Sequence, residues 1–196
     1  MRRSRTQYYC AATLDGYIAE ADDTIGWLLG YEGSYDGPEV EPSDGRPAYE
    51  RYYEGVGALV MGSTTYEFVL DQGADWPYTG KPSWVLSSRR LPLPAGEGVD
   101  VRFARGEVSD LHEEMVAAAR ERDLWVVGGG DVASQFADAG LLDDVLVTVV
   151  PVVLGGGKPL FARRLPGGPL QLTGTSVREN GMVELRYRLR GSETAA

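Results

Sequence analysis

The run Val145-Leu146-Val147-Thr148-Val149-Val150 constrains the fold more than any other stretch of this chain. It is nearly unbroken in β-branched residues, so no period of two separates an apolar face from a polar one. A strand of that kind is buried on both faces, as in a parallel sheet covered by helices on either side. The upstream order agrees. Tyr8–Thr13, Ala58–Met61, Trp84–Leu86, Val99–Phe103 and Leu124–Val127 read as short strands. Helical patterns lie between them. Ala48 to Val56 places Tyr49, Tyr52, Tyr53 and Val56 on one face, which reads as core packing, and Thr64 to Leu70 opens a second helix. Ser109 is the N-cap expected for a third, with Asp110, Glu113 and Glu114 in its first turn and an end near Arg122. Val132 to Ala139 is a fourth, with Gly140 as C-cap. This alternation predicts an α/β domain with a mostly parallel sheet. The tail departs from it: Leu170–Val177 and Met182–Leu189 flank Arg178-Glu179-Asn180-Gly181. Asn-Gly between two alternating runs predicts an antiparallel C-terminal hairpin.

Composition bounds the function. A chain of 196 residues is expected to form a single domain, 1–196, with a core over about 7–190. The 19 Lys and Arg against 29 Asp and Glu leave a net charge of −10, which argues against nonspecific binding to nucleic acid or anionic membrane. An anionic ligand would have to be met locally, by loop N–H groups and a few arginines. One cysteine, Cys10, and one histidine, His112, exclude a disulfide framework and a His-rich zinc site, so no metal is expected. Cys10 reads as a small core residue and His112 as a solvated one. Met1–Gln7 is basic without a following apolar stretch, and no run of about 18 apolar residues occurs. The expectation is a cytoplasmic protein.

The motif with the most chemistry is Gly128-Gly129-Gly130-Asp131-Val132. An apolar strand stops at three glycines and a helical pattern starts at once. Glycines let the backbone approach a bound group closely, and a helix N-terminus presents unpaired N–H groups and a positive dipole end to an anion such as a pyrophosphate. The spacing is neither GxGxxG nor GxxxxGK[ST], and taken alone such a cluster is more often just a tight turn. Four further segments join it: Ala11-Ala12-Thr13-Leu14-Asp15-Gly16-Tyr17-Ile18-Ala19, Val60-Met61-Gly62-Ser63-Thr64-Thr65-Tyr66-Glu67, Val85-Leu86-Ser87-Ser88-Arg89, and Pro151–Phe161 around Gly155-Gly156-Gly157-Lys158-Pro159.

In this order and spacing the five segments resemble the dihydrofolate reductase-like superfamily. The closer resemblance is to the reductase domain of bacterial riboflavin biosynthesis and its stand-alone relatives, over roughly residues 7–190. Each motif is weak alone and the ordered set is specific. The resemblance implies a mixed, mostly parallel sheet that binds NADPH across its C-terminal edge. Gly62, Ser63, Thr64 and Thr65 would meet phosphate on one side, and Gly128, Gly129, Gly130, Asp131 and Val132 on the other. Ser87, Ser88 and Arg89 would take the adenosine 2′-phosphate, while Ala12, Asp15, Gly16 and Ile18 would sit by the nicotinamide ribose and ring.

What the resemblance implies about chemistry is hydride transfer from NADPH to a small heterocyclic or carbonyl substrate. A ribosylaminopyrimidine of riboflavin synthesis, 5-amino-6-(5-phosphoribosylamino)uracil, is one such substrate. Dihydrofolate reduction and a non-catalytic nucleotide-binding module remain alternatives. Solvent, Asp15 or Glu50 could deliver the proton. Trp27, in the loop after Asp22-Asp23, and Tyr53 are pocket candidates, and Lys158 could meet a substrate phosphate. Two departures stand out. Ser63 occupies a position where many relatives carry Arg, which moves phosphate selectivity onto Arg89 or Arg90. Counting back from Gly62 reaches Arg46 where authentic dihydrofolate reductases place a substrate carboxylate, with Asp44, Glu50 and Glu54 nearby. Relatives often form homodimers, for which the apolar 145–161 region is a candidate surface.

Overall fold

The structure, a computed structural model, describes residues 3–31, 48–73 and 75–189. Asp44 and Arg46 lie outside the described residues, as does most of the stretch before Pro47. The elements follow the chain as β1 (Thr6–Thr13), β2 (Tyr17–Ala19), α1 (Gly26–Leu29), α2 (Ala48–Gly55), β3 (Val56–Gly62), α3 (Ser63–Asp71), β4 (Ser83–Leu86) and β5 (Val101–Ala104). They continue as α4 (Val108–Ala119), β6 (Asp123–Gly128), α5 (Gly130–Asp138), β7 (Asp144–Val150), β8 (Lys158–Pro159), β9 (Gln171–Val177) and β10 (Val183–Arg188). One mixed sheet runs in the order β5-β4-β3-β6-β1-β7-β10-β9, and β2 pairs with β8 in a separate ribbon. From β5 to β7 every neighbouring pair is parallel. β10 runs antiparallel to both β7 and β9. The α/β class, the mostly parallel sheet and the C-terminal hairpin are as the pattern predicts.

Alternation along each strand explains the absence of polar faces. Tyr8, Val60, Leu124 and Val126 point to the side covered by α4 and α5, where they pack with Met115, Phe136 and Ala137. Their neighbours Tyr9, Leu59, Met61 and Trp125 point to the α2–α3 side and pack with Tyr66. Successive residues face opposite layers, and both layers are apolar. Each fully buried aliphatic side chain contributes roughly 1.5–3 kcal/mol, so the central strands tolerate no polar face. β7 is buried at every residue but Val149, and its neighbours are β1 and β10. The 145–150 stretch is therefore interior and offers no sheet edge to a second copy; β5 and β9 are the edge strands.

Several local expectations change. Val56 starts β3 rather than completing the face of α2, because it is fully buried in the sheet layer. Helix α4 begins two residues earlier than a Ser109 cap implies, with extended Glu107 as N-cap, and it stops at Ala119 where Arg120 turns to φ +60°. His112 is not solvated. Its Nε2 lies 2.7 Å from Thr6 Oγ1 and its ring meets Phe136 edge-on. Burial depresses its pKa; the Asp143 carboxylate opposes this and Arg3 adds to it.

The hairpin carries a buried charge pair. Arg178 and Glu184 are each 1% exposed, and Arg178 Nη2 donates to Glu184 Oε2 at 3.3 Å. Arg186 Nε donates to Glu184 Oε1 at 2.7 Å. The Tyr9 hydroxyl, from β1, reaches the same carboxylate at 3.4 Å. A buried carboxylate persists only when paired in this way.

Candidate active site

β3 and β6 are neighbours, with Met61 opposite Gly128, so the helices that follow them start side by side. α3 begins directly after Gly62 and α5 directly after Gly129. Both N-cap glycines are extended, and neither cap provides a side-chain hydrogen bond. The first N–H groups of two helices are thus left to whatever occupies the space in front of them. The Gly128–Gly129 peptide is cis.

The three glycines serve different ends. A Cβ on Gly130 would lie 2.4 Å from the Pro159 carbonyl oxygen and 2.8 Å from that of Leu160, so this position is glycine because β8 crosses it. A Cβ on Gly128 would meet Thr65 Oγ1 at 3.1 Å. Gly129 has nothing within 4 Å of its Cβ position and leaves its backbone open to a ligand. Ser134 ties the arrangement together. Its hydroxyl donates to the Gly130 carbonyl at 2.8 Å and accepts the Ala162 N–H at 3.1 Å.

A cavity of about 770 Å³ opens at this edge. Gly62, Ser63, Thr64 and Thr65 line one side of it, and Gly128, Gly129, Gly130, Asp131 and Val132 line another; Ile18 and Lys158 also belong to the wall. Asp131 is held well ionised by Arg163, whose Nη1 lies 2.7 Å from Oδ1, with Gln135 Nε2 2.7 Å from Oδ2 in support. Lys158 Nζ is 3.3 Å from Asp23 Oδ2.

Other expected residues stand elsewhere. Ala12 is 1% exposed in the sheet, and the neighbouring Ala11 faces the cavity instead. Asp15 is outside the wall. Its carboxylate accepts the Thr13 hydroxyl at 2.6 Å and the Gly155 N–H at 2.7 Å. The Thr13 bond, then those loop N–H groups, hold it below the usual carboxylate range. That makes it an anchor for the loop after β7 and a poor proton donor. Glu50 is exposed on α2, away from the cavity wall. Trp27 and Tyr53 are half-buried but outside the wall, where Ile25, Leu28 and Tyr49 stand. Tyr53 is occupied by stacking on Tyr49 and by the Lys81 ammonium, 4.2 Å from its ring centre. Ser87, Ser88 and Arg89 lie beyond Leu86, the last residue of β4 to reach the wall. Arg89 is bound at two points by Glu67.

The wall also holds an aromatic group that the motifs did not flag: Tyr9, Tyr49, Phe68, Tyr78 and Trp125. Trp125 Nε1 donates to the Tyr9 carbonyl at 3.0 Å, and the ring is ringed edge-on by Tyr49 and Tyr78. The helical face of Tyr49 was a signal. Tyr9 and Trp125 carried none, because a buried aromatic in a strand looks the same whether it backs onto core or cavity. Cys10 lines this cavity too, and burial pushes its thiol up to about 12, against a small opposing effect of the Tyr8 hydroxyl. It is no nucleophile at neutral pH.

Residues 7–184 match the family model for the RibD C-terminal domain. The chain belongs to that family. Among its relatives, the Bacillus subtilis (strain 168) protein YyaP is 34% identical, over 92% of this chain and 93% of its own length. A crystal structure from Shewanella sp. PV-4 is 29% identical, covers 94% of this chain and 98% of that one, and superposes with a TM-score of 0.74. The dihydrofolate reductase of Enterococcus faecalis, solved with NADP(H), is 18% identical with a TM-score of 0.58, covering 96% and 98% of the two chains. At that identity it speaks for the fold alone. The family and this architecture make the chain a member of a reductase fold.

A dinucleotide fits the residues of this family member in part. The uncapped starts of α3 and α5, with Thr64 and Thr65 hydroxyls beside them, suit a diphosphate. At the end of β4 Arg89 is engaged by Glu67, so it would meet a further phosphate only on leaving that carboxylate. Among the described residues no helix is long and apolar enough to cross a membrane.

Proposed function

We propose that this chain is an NADPH-dependent reductase that transfers hydride to a small heterocyclic or carbonyl substrate. The observation that carries the reading is the pair of glycine-capped helix starts, α3 and α5, opening side by side into one cavity whose other wall is aromatic. NADPH supplies the hydride and its orientation is the protein's task. The helix N–H groups and the hydroxyls of Ser63, Thr64 and Thr65 hold the diphosphate. Arg89 exchanges Glu67 for the 2′-phosphate. Tyr9, Tyr49 and Trp125 wall the reacting end and exclude water from it. Asp15 is fixed as a loop anchor and Glu50 faces solvent, so the proton comes from water at the cavity mouth.

Dihydrofolate reduction is the weaker reading. Among the described residues, the acids of the wall are Asp23 and Asp131, and both are paired with cations. Neither is placed to grip a pteridine edge.

The test is binding followed by turnover. Trp125 lies in the wall, so NADPH is expected to quench the protein's tryptophan emission. Oxidation of NADPH is then followed with a panel of pyrimidines, pterins and carbonyl compounds. Binding with consumption supports the reductase. Binding without consumption across the panel points to a nucleotide-binding module, and absence of binding overturns the reading.

A further inference from the structure

We infer that Arg163 is a positioning residue for the diphosphate: it holds the Asp131 carboxylate along the flank of α5 and offsets its charge, leaving the first N–H groups of that helix free for an anion. The inference rests on the reductase reading above and deepens it. Asp131 follows Gly130 in the first turn of α5 and lines the cavity. A carboxylate there is drawn to the positive end of its own helix, which is the end the diphosphate needs. Left unpaired, it would compete with the ligand for those N–H groups and repel it by charge.

The structure turns Asp131 the other way. Its Oδ2 accepts from Nε2 of Gln135, one turn further along the helix, and its Oδ1 accepts from Arg163 Nη1, both at 2.7 Å. Arg163 Nε donates to Asp138 Oδ2 at 2.6 Å, so one guanidinium lies between the first and last turns of α5. The Arg163 bond, more than any other influence, holds Asp131 below the usual carboxylate range. The segment that carries Arg163 is itself fixed against the helix. The Ala162 N–H donates to Oγ of buried Ser134, on α5, at 3.1 Å. The Leu160 N–H donates to the Gly16 carbonyl at 2.9 Å, and the Leu160 carbonyl accepts the Tyr8 hydroxyl at 3.2 Å. Arg163 therefore reaches α5 in one register. The Arg163 and Asp131 side chains are 42% and 63% exposed. A pair that open adds little to stability, so its loss is read in binding and not in folding.

The experiment titrates the full chain with NADP+, read by tryptophan emission, and records the thermal midpoint of each variant. The unaltered protein comes first; absence of binding there overturns the reductase reading and this inference with it. Arg163→Ala is expected to weaken NADP+ binding about tenfold at low salt, the scale of one uncompensated charge beside the ligand, with the thermal midpoint nearly unchanged. The loss should shrink as salt rises. Arg163→Lys keeps a cation and should lose less than about threefold. The deciding variant is Arg163→Ala combined with Asp131→Asn. It should bind within about twofold of Asp131→Asn alone, because Arg163 acts through that carboxylate. Asp131→Asn alone should bind at least as tightly as the unaltered protein. With NADP+ binding intact in the unaltered protein, three results overturn the inference alone: unchanged binding in Arg163→Ala, a loss that persists after Asp131→Asn is added, or weaker binding in Asp131→Asn by itself.

Discussion

Arg89 grips Glu67 at two points, with Nη1 2.9 Å from Oε1 and Nη2 2.5 Å from Oε2. The pair joins the end of β4 to α3, and its side chains are 54% and 38% exposed. An ion pair that open contributes about 0–1 kcal/mol to stability, so it is cheap to exchange for a phosphate. Arg89→Ala is expected to weaken NADPH binding far more than NADH binding. Glu67→Gln should strengthen NADPH binding and leave NADH unchanged. Titration calorimetry with both cofactors decides the matter, and equal changes for the two would remove Arg89 from the 2′-phosphate site.

Gly129 and Gly130 are adjacent and should respond oppositely. Gly130→Ala forces a methyl against the Pro159 and Leu160 carbonyls, which are backbone and cannot swing aside. A cost of roughly 1–3 kcal/mol is expected in chemical denaturation. Gly129→Ala meets open space and should leave the unfolding midpoint nearly intact while weakening NADPH binding. A large stability loss at Gly129 would show that its role is packing.

Glu184 holds Tyr9, Arg178 and Arg186 together beneath the cavity wall. Glu184→Ala leaves buried cationic charge uncompensated and should cost about 3–5 kcal/mol, read as a shift in denaturation midpoint at unchanged slope. A loss below about 1 kcal/mol, the range of an exposed pair, would mean that water reaches the cluster.

His112 predicts an acid limb in stability. Burial holds its folded pKa below 6.5, so the unfolded chain binds the proton more readily. The stabilisation is complete above about 6.5 and is lost as pH falls through the lower folded value. Asp143, raised chiefly by burial, acts in the opposite direction. It favours the fold below its unfolded value and loses that contribution as pH rises through its folded one. His112→Gln should flatten the part of the melting curve against pH that lies just below 6.5, and an unchanged slope there would place His112 in water.

Asp15 separates an anchor from an acid. Asp15→Asn gives up the charge that holds the Thr13 hydroxyl and the Leu154 and Gly155 N–H groups. The thermal midpoint should fall, while the pH profile of NADPH oxidation keeps its shape. A displaced profile would return Asp15 to the chemistry.

Much of the fold was legible because it depends on local pattern. The apolar run at 145–150 required a strand covered on both faces, and Asn180-Gly181 required a hairpin. The glycines of 62 and 128–130 marked strand-to-helix turns because only those turns let two chains approach so closely. Cap positions were less legible. Glu107 and not Ser109 precedes α4, since the helix starts where Val108 can be buried, a decision made by the sheet beneath it.

The amino-acid sequence by itself determined the layer architecture, the hairpin, and the glycine turns at 62 and 128–130, because periodicity and backbone freedom are local properties. Only the tertiary structure decided what each side chain faces. It gave Arg89 to Glu67, Lys158 to Asp23 and Asp15 to a loop, and it placed Tyr9 and Trp125 in the wall. These are contacts between residues distant along the chain, and no spacing rule encodes them. The strand order β3-β6-β1 sets the turns after Gly62 and Gly128 side by side, with the first strand next to the second of them.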